Sequence, residues 1–182
     1  MKLKDSKRTR SFCLIVVLLL GIVAVWEYFT LFSSVKLGFS AGLSGLQSEL
    51  GISGRNGALL AVEELNRKGG IHGKKIELLV ADDKNDPQAA QVADESLMDK
   101  GVQIIIGHMV SGVAKATLEH TDIRKVLFIS PTIVTEELSG IDDNFIRVIA
   151  SNTVQGYSLA KAALQETGVR KIAVVYDGRN AS

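Results

Sequence analysis

From Val35 onward the chain alternates short β-branched runs with longer stretches in which small or apolar residues recur every three to four positions. This switching of period is what successive βα units require, and it excludes an all-helical bundle or an all-β sandwich. Val35–Phe39 predicts a first strand, followed by a glycine- and serine-rich loop to Ser53. Arg55–Lys68 predicts a helix with Ala58, Ala61, Val62 and Leu65 on one stripe, stopped by Gly69 and Gly70, which tolerate the left-handed conformation after a helix. Lys75–Ala81 is a second strand. Asp86 and Pro87 then open a second helix as N-cap and first helical residue, with the stripe Ala89, Val92, Ala93 and Leu97 and an end at Gly101. Val102–Ile106 is apolar but for Gln103, with three isoleucines in succession, as suits a parallel strand covered on both faces. Ser111–His120 (helix), Val126–Ser130 and Phe145–Ile149 (strands), Thr153–Glu166 (helix) and Lys171–Tyr176 (strand) complete the series. The fold class is therefore α/β: a doubly wound, mostly parallel sheet, preceded by an N-terminal hydrophobic helix. Such a sheet binds ligands beyond the carboxyl ends of its strands, where the strand order switches. Those loops are Ser40–Ile52, Asp82–Asp86, Gly107–Ser111 and Pro131–Leu138.

The segment before the sheet has a different character. Lys2, Lys4, Lys7, Arg8 and Arg10 against Asp5 give the first ten residues a net charge of +4, and Phe12–Trp26 continues without a charge. A basic start before an apolar run places residues 1–10 in the cytoplasm and the chain beyond the apolar run outside it. Good small-x-small cleavage sites are missing: Leu31-Phe32-Ser33 and Ile22-Val23-Ala24 each have a bulky first residue. Phe12–Phe32 counts 21 residues, about the 20 needed to span a bilayer, with Trp26 and Tyr28 placed for an interfacial belt. An uncleaved anchor is favoured over a cleaved signal. Beyond the first ten residues 16 basic and 19 acidic groups remain, and aromatics are 5% of the chain. An acidic body with few stacking surfaces is not a nucleic-acid binder. Cys13 is the only cysteine, so neither an internal disulfide nor a thiolate metal site can form within one chain.

The loops offer little catalytic chemistry. Gly38-Phe-Ser-Ala-Gly42-Leu-Ser-Gly45 lacks phosphate-cradle spacing, and neither GxxxxGK[ST] nor GxSxG occurs. His72, His108 and His120 have no metal-ligand spacing and read as surface or hydrogen-bonded histidines. The run Asp82-Asp83-Lys84-Asn85-Asp86 reads as a solvated turn capping the next helix rather than a magnesium site. No enzyme, metal or cofactor is expected. Ser111 is more informative, because it opens a helix after the strand ending at Ile106. A helix N-terminus offers free N–H groups and positive dipole character to a carboxylate; a plain N-cap serine is the bland alternative.

At these loops the chain resembles the periplasmic branched-chain amino-acid binding proteins, of periplasmic-binding-protein fold type I. The likeness is carried by Lys36-Leu-Gly-Phe-Ser, by the run from Gly54 through Glu77, and by the Asp82–Pro87 turn. It continues through Ile106-Gly107-His108 with Ser111, Ile129-Ser130-Pro131, Phe145-Ile146-Arg147-Val148 and Gln155-Gly156, covering Lys36–Ser182 in order. The resemblance implies two α/β lobes closing on a ligand around a hinge, here crossed near Ala150. It makes Ser111 the hydroxyl that meets the ligand carboxylate, with the main chain around Thr132 and Ile133 adding polar contacts. Departures stand at Val134, where leucine-binding members have threonine, at Asn152, where an aspartate is expected near the hinge, and at Leu50, where the first loop carries an aromatic. Asn85 and Val110 stand where some members carry a disulfide.

The resulting organisation is residues 1–34 as signal peptide or membrane anchor, 35–150 as the N-terminal ligand-binding lobe and 151–182 as the start of a second lobe, in a fragment of a gene about twice as long on ordinary domain sizes. The resemblance implies an extracytoplasmic binding protein for amino acids or related small carboxylates, partnered by an ABC transporter permease and anchored to the membrane through residues 12–32. The alternative is a ligand-sensing receptor domain fused to a kinase or cyclase; an α/β enzyme is the weakest reading.

Overall fold

A computed structural model describes residues 3–32, 34–123, 126–141, 144–166 and 168–175. The elements are α1 (Leu3–Phe32), β1 (Val35–Ala41), α2 (Ser48–Arg67), β2 (Ile76–Asp82), α3 (Pro87–Asp99), β3 (Ile104–Gly107), α4 (Ser111–Ile123), β4 (Leu127–Ser130), a 3-10 turn (Glu136–Leu138), β5 (Phe145–Arg147) and α5 (Asn152–Gln165). They fall into two compact units, Met1–Val35 with Glu64–Glu77, and Lys36–Glu63 with Leu78–Ser182.

The five strands lie in the order β2-β1-β3-β4-β5, and β1–β3, β3–β4 and β4–β5 pair in parallel. The chain moves from β1 outward to β2, then crosses back to place β3 on the other side of β1. That reversal is the switch point, at the carboxyl ends of β1 and β3, where open α/β sheets bind their ligands. Ser40 and Gly107 are register partners there.

The core explains the continuous apolar strand. Ile105 packs with Leu97, Met98, Val102, Leu118, Val126 and Phe128, whereas Ile106 packs with Phe39, Ala41 and Met109 beside Ala58. Successive strand residues point to opposite faces, so both faces of β3 are covered and both demand apolar side chains. The type I periplasmic-binding lobe expected from the resemblance is the architecture observed.

In the other unit, Asn66 both donates to the Ile76 carbonyl (2.8 Å) and accepts from the Ile76 N–H (2.7 Å). Gly69 and Gly70 have φ of 106° and 77°, and the Gly70 N–H closes on the Leu65 carbonyl at 2.9 Å, the stop expected of that pair. Helix α1 is continuous, and its described side chains between Phe12 and Val25 are exposed all round.

Several expectations need correction. Residues 48–53 are helical rather than loop, because Gly51 lets the helix lie against the chain: a Cβ there would meet the Gly42 carbonyl oxygen at 2.1 Å. The inward stripe of α3 is Ala90, Ala93, Asp94, Leu97 and Met98, not one containing Ala89 and Val92. On α2, of the expected stripe only Val62 is buried, Ala58 being half-buried. Residues 171–175 form no strand, since among the described residues no neighbouring strand pairs with them, and Val175 is 97% exposed; Tyr176 lies outside the described residues. Residues 12–32 were expected to span a membrane, but among the described residues no helix is long and apolar enough to cross one.

Candidate functional site

Each loop at the carboxyl edge of the sheet is held from below. Asp82, ending β2, accepts from the Leu43 N–H (2.8 Å), the Lys84 N–H (2.9 Å) and the Ser44 hydroxyl (2.6 Å). Burial pushes its carboxyl pKa up, but the Ser44 hydroxyl and the main-chain donors outweigh it, and the net shift is downward. Asn85 donates to the Leu46 carbonyl at 2.8 Å, so the β2–α3 turn fixes the loop after β1. Asp86 caps α3 as expected, accepting from the N–H groups of Gln88 and Ala89 at 3.0 and 2.8 Å.

Asp83 departs from the solvated-turn expectation. It is completely buried, and its carboxylate meets His108 Nδ1 at 2.7 Å. The other ring nitrogen, Nε2, meets buried Asp94 of α3 at 3.0 Å, and the ring stacks on Phe128 at 5.5 Å. Burial alone would lower the imidazole pKa; the two carboxylates reverse this and raise it from 6.5 to about 9. Among the described residues no group of His, Cys, Asp and Glu is arranged to hold a metal ion. Sequence reasoning missed this cluster. The available signal was Asp94 itself, a charge four residues after Ala90 and three before Leu97 on an inward face, which requires a buried partner.

Of the residues singled out from the sequence, Ser111 is the first residue of α4 and half-buried. Val110, just before it, takes the first helical bonds, its carbonyl accepting from the N–H groups of Val113 and Ala114. Ser111 is thus inside the helix rather than its N-cap, and the N–H groups of Ser111 and Gly112 have no intrahelical acceptor. The hydroxyl of Thr132 donates to the Met109 carbonyl at 2.8 Å. Ser130, fully buried, donates to the His108 carbonyl at 2.9 Å and accepts from the N–H groups of Thr132 (3.4 Å) and Ile133 (3.2 Å). Ile133 is completely buried. Loops 107–111 and 130–133 are therefore tied together, with Thr132 and Ile133 turned partly inward. Val134 and Asn152 also meet, the Asn152 N–H donating to the Val134 carbonyl at 2.9 Å. Leu50 stands in the first turns of α2 and is 43% exposed; among the described residues no hydrogen bond joins it to the other five.

At the end of β5, Arg147 donates to the Thr135 carbonyl at 2.7 Å and to the Ser139 hydroxyl. The Ser151 and Thr153 hydroxyls hold the Glu136 carboxyl pKa below its usual range. A groove of about 600 Å³ between β2 and α3, lined by Val80, Lys84, Val92 and Ser96 among others, contains none of the six site residues. The other candidate is the switch point, where α4 begins at Ser111 with N–H groups that have no intrahelical acceptor.

The fold agrees with the comparisons to known proteins. The family model described as periplasmic binding protein matches residues 34–182. The chain is 31% identical over 147 residues to a Leu/Ile/Val-binding protein of Rhizobium johnstonii, covering 80% of this chain and 40% of that protein. It is 28% identical over 162 residues to the Leu/Ile/Val-binding protein of Escherichia coli, covering 88% and 44%. Among solved structures it resembles the branched-chain amino acid transporter substrate binding protein LivJ of Streptococcus pneumoniae in complex with isoleucine. That likeness has a TM-score of 0.63 and 29% identity, over 65% of this chain and 34% of the other. The chain thus spans well under half the length of these relatives. With the fold, the strand order and the match over residues 34–182 in agreement, the chain belongs to the periplasmic binding protein family, a family of solute-binding proteins, and forms its type I N-terminal lobe.

Proposed function

We propose that this lobe is one half of an extracytoplasmic binding site for amino acids or related small carboxylates, whose complete protein delivers its ligand to an ABC transporter. The observation carrying this reading is Ser111 at the start of α4, beyond the carboxyl end of β3, where a hydroxyl and unsatisfied N–H groups suit a carboxylate without a formal cation. The main chain near Thr132 and the residues Val134, Asn152 and Leu50 line the rest of the site. Relatives whose names state that they bind leucine, isoleucine and valine support the ligand class. The protein is a binder rather than an enzyme, and no observation favours the receptor alternative. The basic start and the apolar run after it serve as an export signal; a reporter fused after Ser182 should work outside the cytoplasm, and activity only inside it would refute that location.

The direct test is Ser111→Ala in the full-length protein. The main-chain donors remain, so the loss should be about 1–2 kcal/mol, one hydrogen bond to a charged group. With Val134 and Asn152 in place of polar or acidic partners, leucine should bind less than about tenfold tighter than its des-amino analogue, that is, within about 1.4 kcal/mol. Calorimetric competition at fixed pH measures both, and an unchanged Kd in the serine variant would remove Ser111 from the site.

A further inference from the structure

The buried cluster around His108 plays no direct part in the proposed site, yet it lies beneath both of its loops. An ionised carboxylate only accepts hydrogen bonds, so a ring nitrogen facing each of Asp83 and Asp94 needs a proton on both contacts. Three fully buried groups are thereby committed to one arrangement, and Asp94 Oδ1 finds no partner among the described residues. A cluster of this kind is a poor source of stability, since apolar residues of similar volume would fill the space at lower desolvation cost. What it supplies is orientation. Asp83 belongs to the β2–α3 turn and Asp94 to the body of α3, so the ring is gripped from two independent elements, with Phe128 of β4 against its face. The same residue's carbonyl accepts from the Ser130 hydroxyl, which in turn receives the Thr132 and Ile133 N–H groups.

We propose that His108 is a positioning residue for ligand binding: gripped by Asp83 and Asp94, it fixes the backbone that leads to Ser111 and, through the Ser130 hydroxyl, sets the spacing between loops 107–111 and 130–133. The inference rests on the reading of Ser111 as the carboxylate contact. The imidazole pKa of about 9 keeps the grip charged through neutral pH. The groups that meet the ring are the acids Asp83 and Asp94 and the uncharged Phe128.

The experiment uses the full-length gene product with His108→Gln, Asp94→Asn and Ser130→Ala, each checked for folding by thermal melting. The probes are L-leucine, its des-amino acid and leucinamide, which lacks the carboxylate. Affinity for the two carboxylates should fall by about tenfold or more in each variant, the scale of one charge-assisted hydrogen bond, while leucinamide changes little. Without ligand, amide exchange should speed up at residues 111–113 and 132–133 and stay unchanged at 61–62 of α2. Should His108→Gln fail to fold, Ser130→Ala still decides, because it leaves the His108 cluster intact. Wild-type affinity in the folded variants, or equal losses for all three probes, would overturn the proposal. Should the wild type bind none of the probes, the binding reading fails, and the exchange pattern alone upholds or overturns the loop-spacing role.

Discussion

His108 holds a proton that an ordinary histidine releases near neutrality, and the consequence has a definite sign. Its folded-state pKa lies above the unfolded value, so its contribution to stability is fully present below pH 6.5 and is lost as pH rises through about 9. Urea midpoints should therefore fall between pH 7 and 10, and His108→Gln should flatten that slope; a wild-type midpoint that held constant across the range would contradict the cluster. Of this cluster only Asp94, a charge on an inward helix face, left a signal in the sequence; its partners did not. Asp83 and His108 lie 25 positions apart, and Asp94 14 from His108, so only the placing of β2 and β3 on either side of β1 brings them together. Ser111 was legible because its signal is local, a serine where a strand hands over to a helix. The inward turn of Thr132 and Ile133 was not, because it depends on Ser130 reaching across to another strand's loop.

Strands announce themselves through β-branched runs, and all but the last of those expected from the sequence form within one or two residues of their expected starts. The β2–α3 junction was equally readable, since aspartate followed by proline is a helix start with a mechanism. Asp86→Ala should cost about 1 kcal/mol in chemical denaturation, the usual loss of a capping side chain, and no loss at all would place the cap's contribution elsewhere. The start of α2 was misread because Ser48, Gly51 and Ser53 look like the continuation of the glycine- and serine-rich loop. Glycine is kept there for clearance, not for flexibility. Gly51→Ala sets two effects against each other: alanine favours the helix by about 1 kcal/mol, while its Cβ meets the backbone carbonyl of Gly42 at 2.1 Å. Backbone yields less readily than a side chain, so the clash should win by about 1–3 kcal/mol. A stabilised Gly51→Ala protein would show that the loop after β1 gives way.

At the scale of the whole molecule, α5 has no buried residue, and Val154, Tyr157, Leu159 and Leu164 are each more than half exposed. The chain spans 40% and 44% of its Rhizobium johnstonii and Escherichia coli relatives, and the resemblance leads us to expect the crossing to a second lobe near Ala150. A site made by one lobe leaves its ligand largely in water, so residues 35–182 alone should bind far more weakly than the full-length protein. Equal affinities in calorimetry would argue that one lobe suffices. The double use of the loops at the sheet's carboxyl edge also bears on how such a protein can change its diet. Ser130, His108 and Ile133 are completely buried, whereas Ser111, Val134 and Asn152 are not buried and carry little of the core. A randomised library confined to the second set should yield mostly folded proteins with altered preferences, and one confined to the first mostly unfolded ones. On the proposed site, the positions that choose the ligand would then be interleaved with, but distinct from, those that build the core, so that new preferences could arise without rebuilding the sheet.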